Sequence, residues 1–387
     1  MVLAFRMLAS LLGWWVYDLT NDPLAIGIIG LSEVIPAVGC ALYAGHVIDT
    51  SEKKKLLLIC CVAYITLISL LLLPAFNFLG QFNNGHSVTY FIYGVIFFTG
   101  IARSFLGPIV PSMLPKLVSK EELVNAVTLN QGTFLTSSVL GHMIGGLLIA
   151  AISIKWTLVV IVALLILALT QYIQLPKQFP DKKAEQPEVL KSIKEGITYI
   201  RNTKEVLGAM CLDMFAVLFG GAVAMVPVFA KDILNVGAQG YGLLNAASDI
   251  GAMIIILTLS IFPLKSNQGK ILIAVVIGFG ACIIGFGVSK LFWLSFFLLM
   301  LSGILDGISV VIRGTIVQLK TPEHLRGRVL SVNSIFIMSS NEMGQFESGV
   351  MAKLLGPVKS VVVGGTLTVI TAAVIGKSFK SLRNMKY

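Results

Sequence analysis

The 387-residue sequence predicts an all-α membrane protein of about twelve transmembrane helices arranged as two six-helix pseudo-repeats. Three observations carry that prediction. Hydrophobic residues make up 56% of the chain and charged residues only 12%, which leaves too little polar surface to cover a water-soluble protein of this size. Apolar runs long enough to cross a hydrocarbon core of about 30 Å, which takes about 20 helical residues, recur from one end to the other. The two halves of the chain also match each other at an offset near 202 residues.

Taken in order, the apolar runs of the first half are 1–17, 24–48, 56–73, 89–110, 124–152 and 156–173. The first begins at Met1, carries Arg6 and is barely long enough to cross, so it reads as a short or truncated helix. A cleaved signal peptide fits less well, because no small-residue cleavage site precedes Tyr17 and the next span follows at once. The runs of the second half are 206–230, 241–262, 271–288, 291–317, 329–355 and 361–375. These divide the chain into an N-terminal half at 1–175, a cytoplasmic link at 176–204 and a C-terminal half at 205–387. In the link, Pro187 is followed by Leu190, Ile193, Ile197 and Ile200 at helical spacing, with Lys191, Lys194 and Arg201 alongside. That pattern predicts an amphipathic helix on the inner membrane surface, the plainer reading being a solvated linker helix.

The net charge of +10 does not form the single basic face that nucleic acid would need. The cations mark topology instead. With both termini placed in the cytoplasm, inner segments hold 21 of the 29 Lys and Arg residues, while outer loops hold only Lys155, Lys231, Lys290 and Lys359. The expected location is therefore the plasma (inner) membrane, crossed many times. Cys40, Cys60, Cys61, Cys211 and Cys282 all lie within apolar runs, with no spacing that suggests a metal site or a disulfide framework.

The repeat is densest where the loops after the fourth and tenth spans enter the next helix. Leu123, Val127, Phe134, Ser137 and Ser138 correspond to Leu325, Val329, Phe336, Ser339 and Ser340. Upstream, Gly100-Ile101-Ala102-Arg103 corresponds to Gly303-Ile304-Leu305-Asp306. Parallel repeats of this kind are a transporter architecture, in which the substrate site lies near the midplane and access alternates. No Walker pattern, H-E-x-x-H, G-x-S-x-G or Gly-rich dinucleotide turn is present, so neither an enzyme nor an ATP-driven pump is expected. The outer loops are too short for a channel's filter loop. A non-transporting membrane receptor, or a lipid or lysolipid flippase, remains as the alternative to a small-molecule transporter.

The loop running from Gly45 to Lys55 resembles the major facilitator pattern G-x-x-x-D-(R/K)-x-G-(R/K)-(R/K). It keeps Gly45, Asp49 and the basic pair Lys53 and Lys54, with Thr50 and Glu52 standing where the pattern has a basic residue and a glycine. The segment Ser137 to Gly146 is similar to the antiporter pattern g-x-x-x-G-P-x-x-G-G, with Ser137 at the first small position and His142 in place of the proline. Tyr17-Asp18-Leu19-Thr20, Gly30 through Pro36 and Gln318 through Val329 look like the branch of enterobactin-exporter-like and macrolide-efflux-like permeases. The resemblance spans nearly the whole chain. It implies the major facilitator fold, a longer stretch before the tyrosine segment than this chain has, and efflux of a drug-like or siderophore-like small molecule by proton antiport. No cofactor beyond the ion gradient and no metal is expected. The expected partners are the small-molecule substrate and membrane lipid, with the chain acting as a monomer.

An ionisable group at bilayer depth costs about 2.5–3.5 kcal/mol on insertion scales, so each one is a candidate for function. Glu33, Arg103, His142, Asp213, Asp306, Arg313, Glu342 and Glu347 lie within apolar runs. Glu33 is about 14 Å below the outer end of its span and Glu342 about 20 Å above the inner end of its own, which makes these two the preferred proton carriers. Asp213 and His142 are further candidates, His142 because imidazole titrates near physiological pH. The mechanism would be burial, since a carboxyl in a dry cavity holds a proton at neutral pH and releases it when water enters. The plainer reading is a carboxylate locked by a neighbouring helix, or a packed histidine. Gly45, Asp49, Lys53, Lys54, Arg103, Asp306 and Arg313 form the expected gate network, with Asp49 favoured at a helix N-terminus. Trp14, Phe134, Phe336 and Glu347 are the expected cavity-lining residues, although aromatic side chains also fill cores and interface belts.

Overall fold

A computed structural model describes residues 1–78, 80, 85–119, 121–176, 189–264 and 266–385. Every regular element among the described residues is helical. The chain divides into two compact units, Met1–Gln186 and Pro187–Tyr387.

The first unit contains α1 (Val2–Thr20), α2 (Pro23–Thr50), α3 (Lys53–Leu70), the short α4 (Leu72–Ala75), α5 (Gly85–Leu117) and α6 (Leu123–Ile173). The turn between α1 and α2 follows from its sequence. Asn21 takes the left-handed conformation at φ 48°, the Asp22 side chain accepts from the Leu24 N–H at 3.0 Å, and Pro23 opens the next helix where no N–H is needed. Within the unit α1 packs on α6, and α2 and α3 pack on α5. The 51-residue α6 is two spans in one, because Ser153 breaks it at φ 72° and ψ 167°, a backbone region that glycine normally occupies.

The second unit contains α7 (Val189–Asn202), α8 (Lys204–Phe219), α9 (Val226–Val228), α10 (Gly237–Ile261), α11 (Gln268–Val288), α12 (Phe292–Lys320), α13 (Glu323–Leu355), α14 (Pro357–Ser378) and α15 (Lys380–Arg383). Here α10 packs on α12, α11 on α12 and α14, and α8 on α13 and α14. The seventh apolar run is not one helix. α8 stops at Phe219, Gly220 and Gly221 follow, and the run resumes as a 3₁₀ turn over Ala222–Met225, α9 and a π turn over Phe229–Ile233. Two adjacent glycines and Pro227, which has no N–H to donate, account for the interruption.

The amphipathic segment of the link is α7, and protein covers much of its apolar side. Ile193, Tyr199 and Ile200 join a core with Val206, Val329 and Val332. The Tyr199 hydroxyl donates to the Lys320 carbonyl and Arg328 pairs with Glu195. The side chains of Leu190 and Lys191 lie outside the described residues.

Ten helices among the described residues are long and apolar enough to cross a membrane. α6 counts once although it holds two of the expected spans, and α13, 33 residues long, is too polar to be among the ten. Those two exceptions reconcile ten apolar helices with twelve expected spans. The polarity of α13 also carries meaning: Asn333, Ser334, Asn341, Glu342 and Gln345 would be unsatisfied in lipid, so the helix has to border protein or water.

Candidate functional site

In the first unit the charged site is built on a close approach of α2 and α5. A Cβ added to Gly100 would lie 2.5 Å from the Glu33 carbonyl oxygen and 2.8 Å from Cγ of Pro36, so only glycine lets the two backbones meet there. One turn along α5, the Arg103 guanidinium then reaches the Glu33 carboxylate and pairs with it. The Arg103 side chain is 45% exposed. It sits about 21 Å from the nearer end of α5, where exposure means water rather than lipid.

Aromatic rings support both arginines of this unit. Arg103 lies 5.7 Å from the centroid of Phe5, and Arg6 lies 5.6 Å from that of Phe134. His142 is bonded across α1 and α6, its Nδ1 standing 2.7 Å from Oγ of Ser10.

The repeat carries the same close approach into the second unit. Gly303 of α12 lies against the Ser248 carbonyl of α10, as Gly100 lies against Glu33. One turn on, the residue that corresponds to Arg103 is Asp306. The charge is reversed and the partner is different. Arg313, two turns further along α12, pairs with Asp213 of α8 and places Nη2 3.5 Å from Oδ1 of Asp306. Its Nε also donates to the Ser309 carbonyl at 3.2 Å. One guanidinium therefore serves two carboxylates.

The structure brings together some of the expected residues and separates others. Arg103 meets Glu33, and Arg313 joins Asp213 to Asp306, so the charged residues sort by unit. The side chain of Asp49 lies outside the described residues. Lys53 is buried at the start of α3 and donates to the Ser112 carbonyl at 3.3 Å, while Lys54 is half-buried and a Cβ on Gly45 would meet open space. Phe134 and Phe336, equivalent in the repeat, are both 41% exposed, and the equivalent Ser138 and Ser340 are both buried. The same faces of α6 and α13 thus point outward, which supports the repeat register. Trp14, Glu342 and Glu347 are half-buried. Arg6 was not among the expected site residues, although a cation inside an apolar run is the signal that marks the others.

A family model described as the Major Facilitator Superfamily matches residues 1–345. The chain belongs to the Major Facilitator Superfamily. Among curated relatives of this superfamily member, the enterobactin exporter EntS of Citrobacter koseri is 24% identical over 367 residues, covering 92% of this chain and 85% of the relative. EntS of Shigella boydii is 26% identical over 346 residues, covering 87% and 80%. Solved structures share the fold. The nucleoside transporter NupG superposes with a TM-score of 0.75 at 14% identity, covering 98% of this chain and 97% of that one. A D-xylose–proton symporter gives 0.75 at 12% identity, covering 100% and 97%. This Major Facilitator chain is a multi-pass membrane transporter and not an enzyme.

Proposed function

We propose that this transporter exports a small siderophore-like or drug-like molecule across the inner membrane by alternating access, driven by proton entry. The observation that carries the reading is the sharing of Arg313 between Asp213 and Asp306 inside a membrane-spanning unit. Two carboxylates and one guanidinium leave a net negative charge at bilayer depth, and one proton removes it. A group whose charge depends on water access is what couples an ion gradient to a change of conformation. The direction of transport is supported by the relatives, which are named enterobactin exporters. Both termini lie in the cytoplasm on the strength of the Lys and Arg asymmetry. The transporter works as a monomer with no bound cofactor, the ion gradient supplying the energy.

Everted membrane vesicles test this reading. With respiration holding the lumen acidic, the chain should drive accumulation of enterobactin, and a protonophore should abolish that accumulation. Equal flux with and without the gradient would contradict proton coupling. The absence of flux across a panel of siderophores and macrolides would contradict export.

A further inference from the structure

We propose that Asp306 is the carboxyl that binds and releases the coupling proton, and that Ser309 receives its hydrogen bond when it is protonated; the assignment rests on the export reading above. The two aspartates that share Arg313 are held very differently. The Asp213 carboxylate is in direct contact with the guanidinium and its side chain is 10% exposed. The Asp306 carboxylate stands 3.5 Å from Nη2 and its side chain is 47% exposed. Asp306 is also the middle residue of α12, about 21 Å from either end at 1.5 Å per residue. A half-exposed carboxylate at that depth has to face a water path rather than lipid. Asp213 is the fixed counter-ion, and Asp306 is the loosely held and reachable one.

Ser309 supplies the second observation. It lies three residues after Asp306 and four before Arg313, so the three side chains share one face of α12. Its hydroxyl is buried and has no hydrogen-bond partner among the described residues. Ser302 on the same helix shows the usual alternative, donating to the Leu299 carbonyl at 2.7 Å. An orphaned hydroxyl next to a shared ion pair is an acceptor for a different arrangement of that pair. A proton arriving along the water path adds to a carboxylate oxygen of Asp306, the contact with Nη2 of Arg313 breaks, and the new O–H donates to Oγ of Ser309. Arg313 keeps Asp213, so the set becomes neutral. Release reverses each step.

The ionisable groups of the elements packed on α12 are few. α8 brings Asp213, with Lys204, Glu205 and Cys211; α10 brings Tyr241 and Asp249; α11 brings Lys270 and Cys282. α13 brings Glu342 and Glu347 in its second half, with Glu323, Arg326, Arg328 and Lys353 nearer its ends, and α12 itself carries Arg313 and Lys320. The corresponding position in the first unit is Arg103, whose pair with Glu33 has one charge of each sign and no excess for a proton to cancel.

Dicyclohexylcarbodiimide, which reacts with protonated carboxyl groups in apolar surroundings, tests the assignment on the wild-type protein in proteoliposomes without any transported substrate. The adduct should map to Asp306 by mass spectrometry and rise several-fold from about pH 9 to about pH 6. Ser309→Ala should move that rise to lower pH, because the protonated form loses its hydrogen bond. Asp306→Asn should make enterobactin flux in everted vesicles independent of the pH gradient. An adduct on Asp213 or Glu342 in place of Asp306, or gradient-driven accumulation retained by Asp306→Asn, would overturn the proposal. Failure of the wild type to move enterobactin would count against the export reading, while the labelling pattern would still decide for or against Asp306.

Discussion

Arg103 closes on Glu33 one helical turn from the point where Gly100 rests on the Glu33 carbonyl, so a backbone contact and an ion pair fix the same crossing of α2 and α5. The second unit repeats the crossing at Gly303 but places Asp306 where Arg103 stands. Duplication preserved the helix packing, and the charges diverged upon it.

The crossing should be intolerant of a single methyl group. Gly100→Ala puts a Cβ 2.5 Å from the Glu33 oxygen and should destabilise the protein by about 1–3 kcal/mol, as overpacking does. Gly94→Ala, on the same helix but facing open space, should be neutral or slightly stabilising, because alanine is the better helix former by about 1 kcal/mol. Thermal unfolding of the purified protein in detergent compares the two.

The two ion pairs should differ in cost when broken. Asp213→Ala leaves Arg313 with only a distant partner in a site where both side chains are about a tenth exposed, and should cost about 3–5 kcal/mol. Glu33→Ala should cost less, about 1–2 kcal/mol, because Arg103 is 45% exposed and water screens it. The yield of folded protein and its unfolding midpoint should follow that order, and the double substitution Glu33→Gln with Arg103→Gln should recover part of the loss.

His142 stands where the antiporter pattern has proline, and its bond to Ser10 joins α6 to α1. Its expected role is mechanical. His142→Ala should lower stability by about 1 kcal/mol, the worth of an ordinary hydrogen bond, and leave the pH profile of flux unchanged. A flattened profile between about pH 6 and pH 8 would instead make His142 a proton carrier.

The docking of α7 should depend on charge only weakly. Glu195 and Arg328 are partly exposed, so Glu195→Gln should cost under about 1 kcal/mol, whereas Tyr199→Phe removes a bond to the Lys320 carbonyl and should cost about as much or more. Faster amide hydrogen exchange confined to α7 in both variants is the expected signature.

The helices were largely legible in the sequence because lipid imposes a length and a composition on each one. The break after Phe219 was written in Gly220, Gly221 and Pro227, but an apolar run reads straight through such residues, since hydropathy carries no information about backbone conformation. Ser153 marks the limit in another way, because a serine has no reason of its own to adopt φ 72°. The charged residues were legible one by one and their partners were not. Glu33 reads alone as a free carboxyl, and its pairing depends on which helix Gly100 brings alongside. Arg6 shows the same thing, since its place over Phe134 requires the contact between α1 and α6. A repeat offset ties equivalent positions together, as it does for Phe134 and Phe336, but it cannot say that Arg103 and Asp306 choose different partners.

The central claim is that substrate leaves in exchange for protons, and proteoliposomes carrying a pH-sensitive dye in the lumen test it most directly. Vesicles loaded with enterobactin and diluted into substrate-free buffer of the same pH should acidify inside as the siderophore exits, and Asp306→Asn should abolish the acidification. Exit of enterobactin through the wild-type protein with no change in lumen pH would contradict the account.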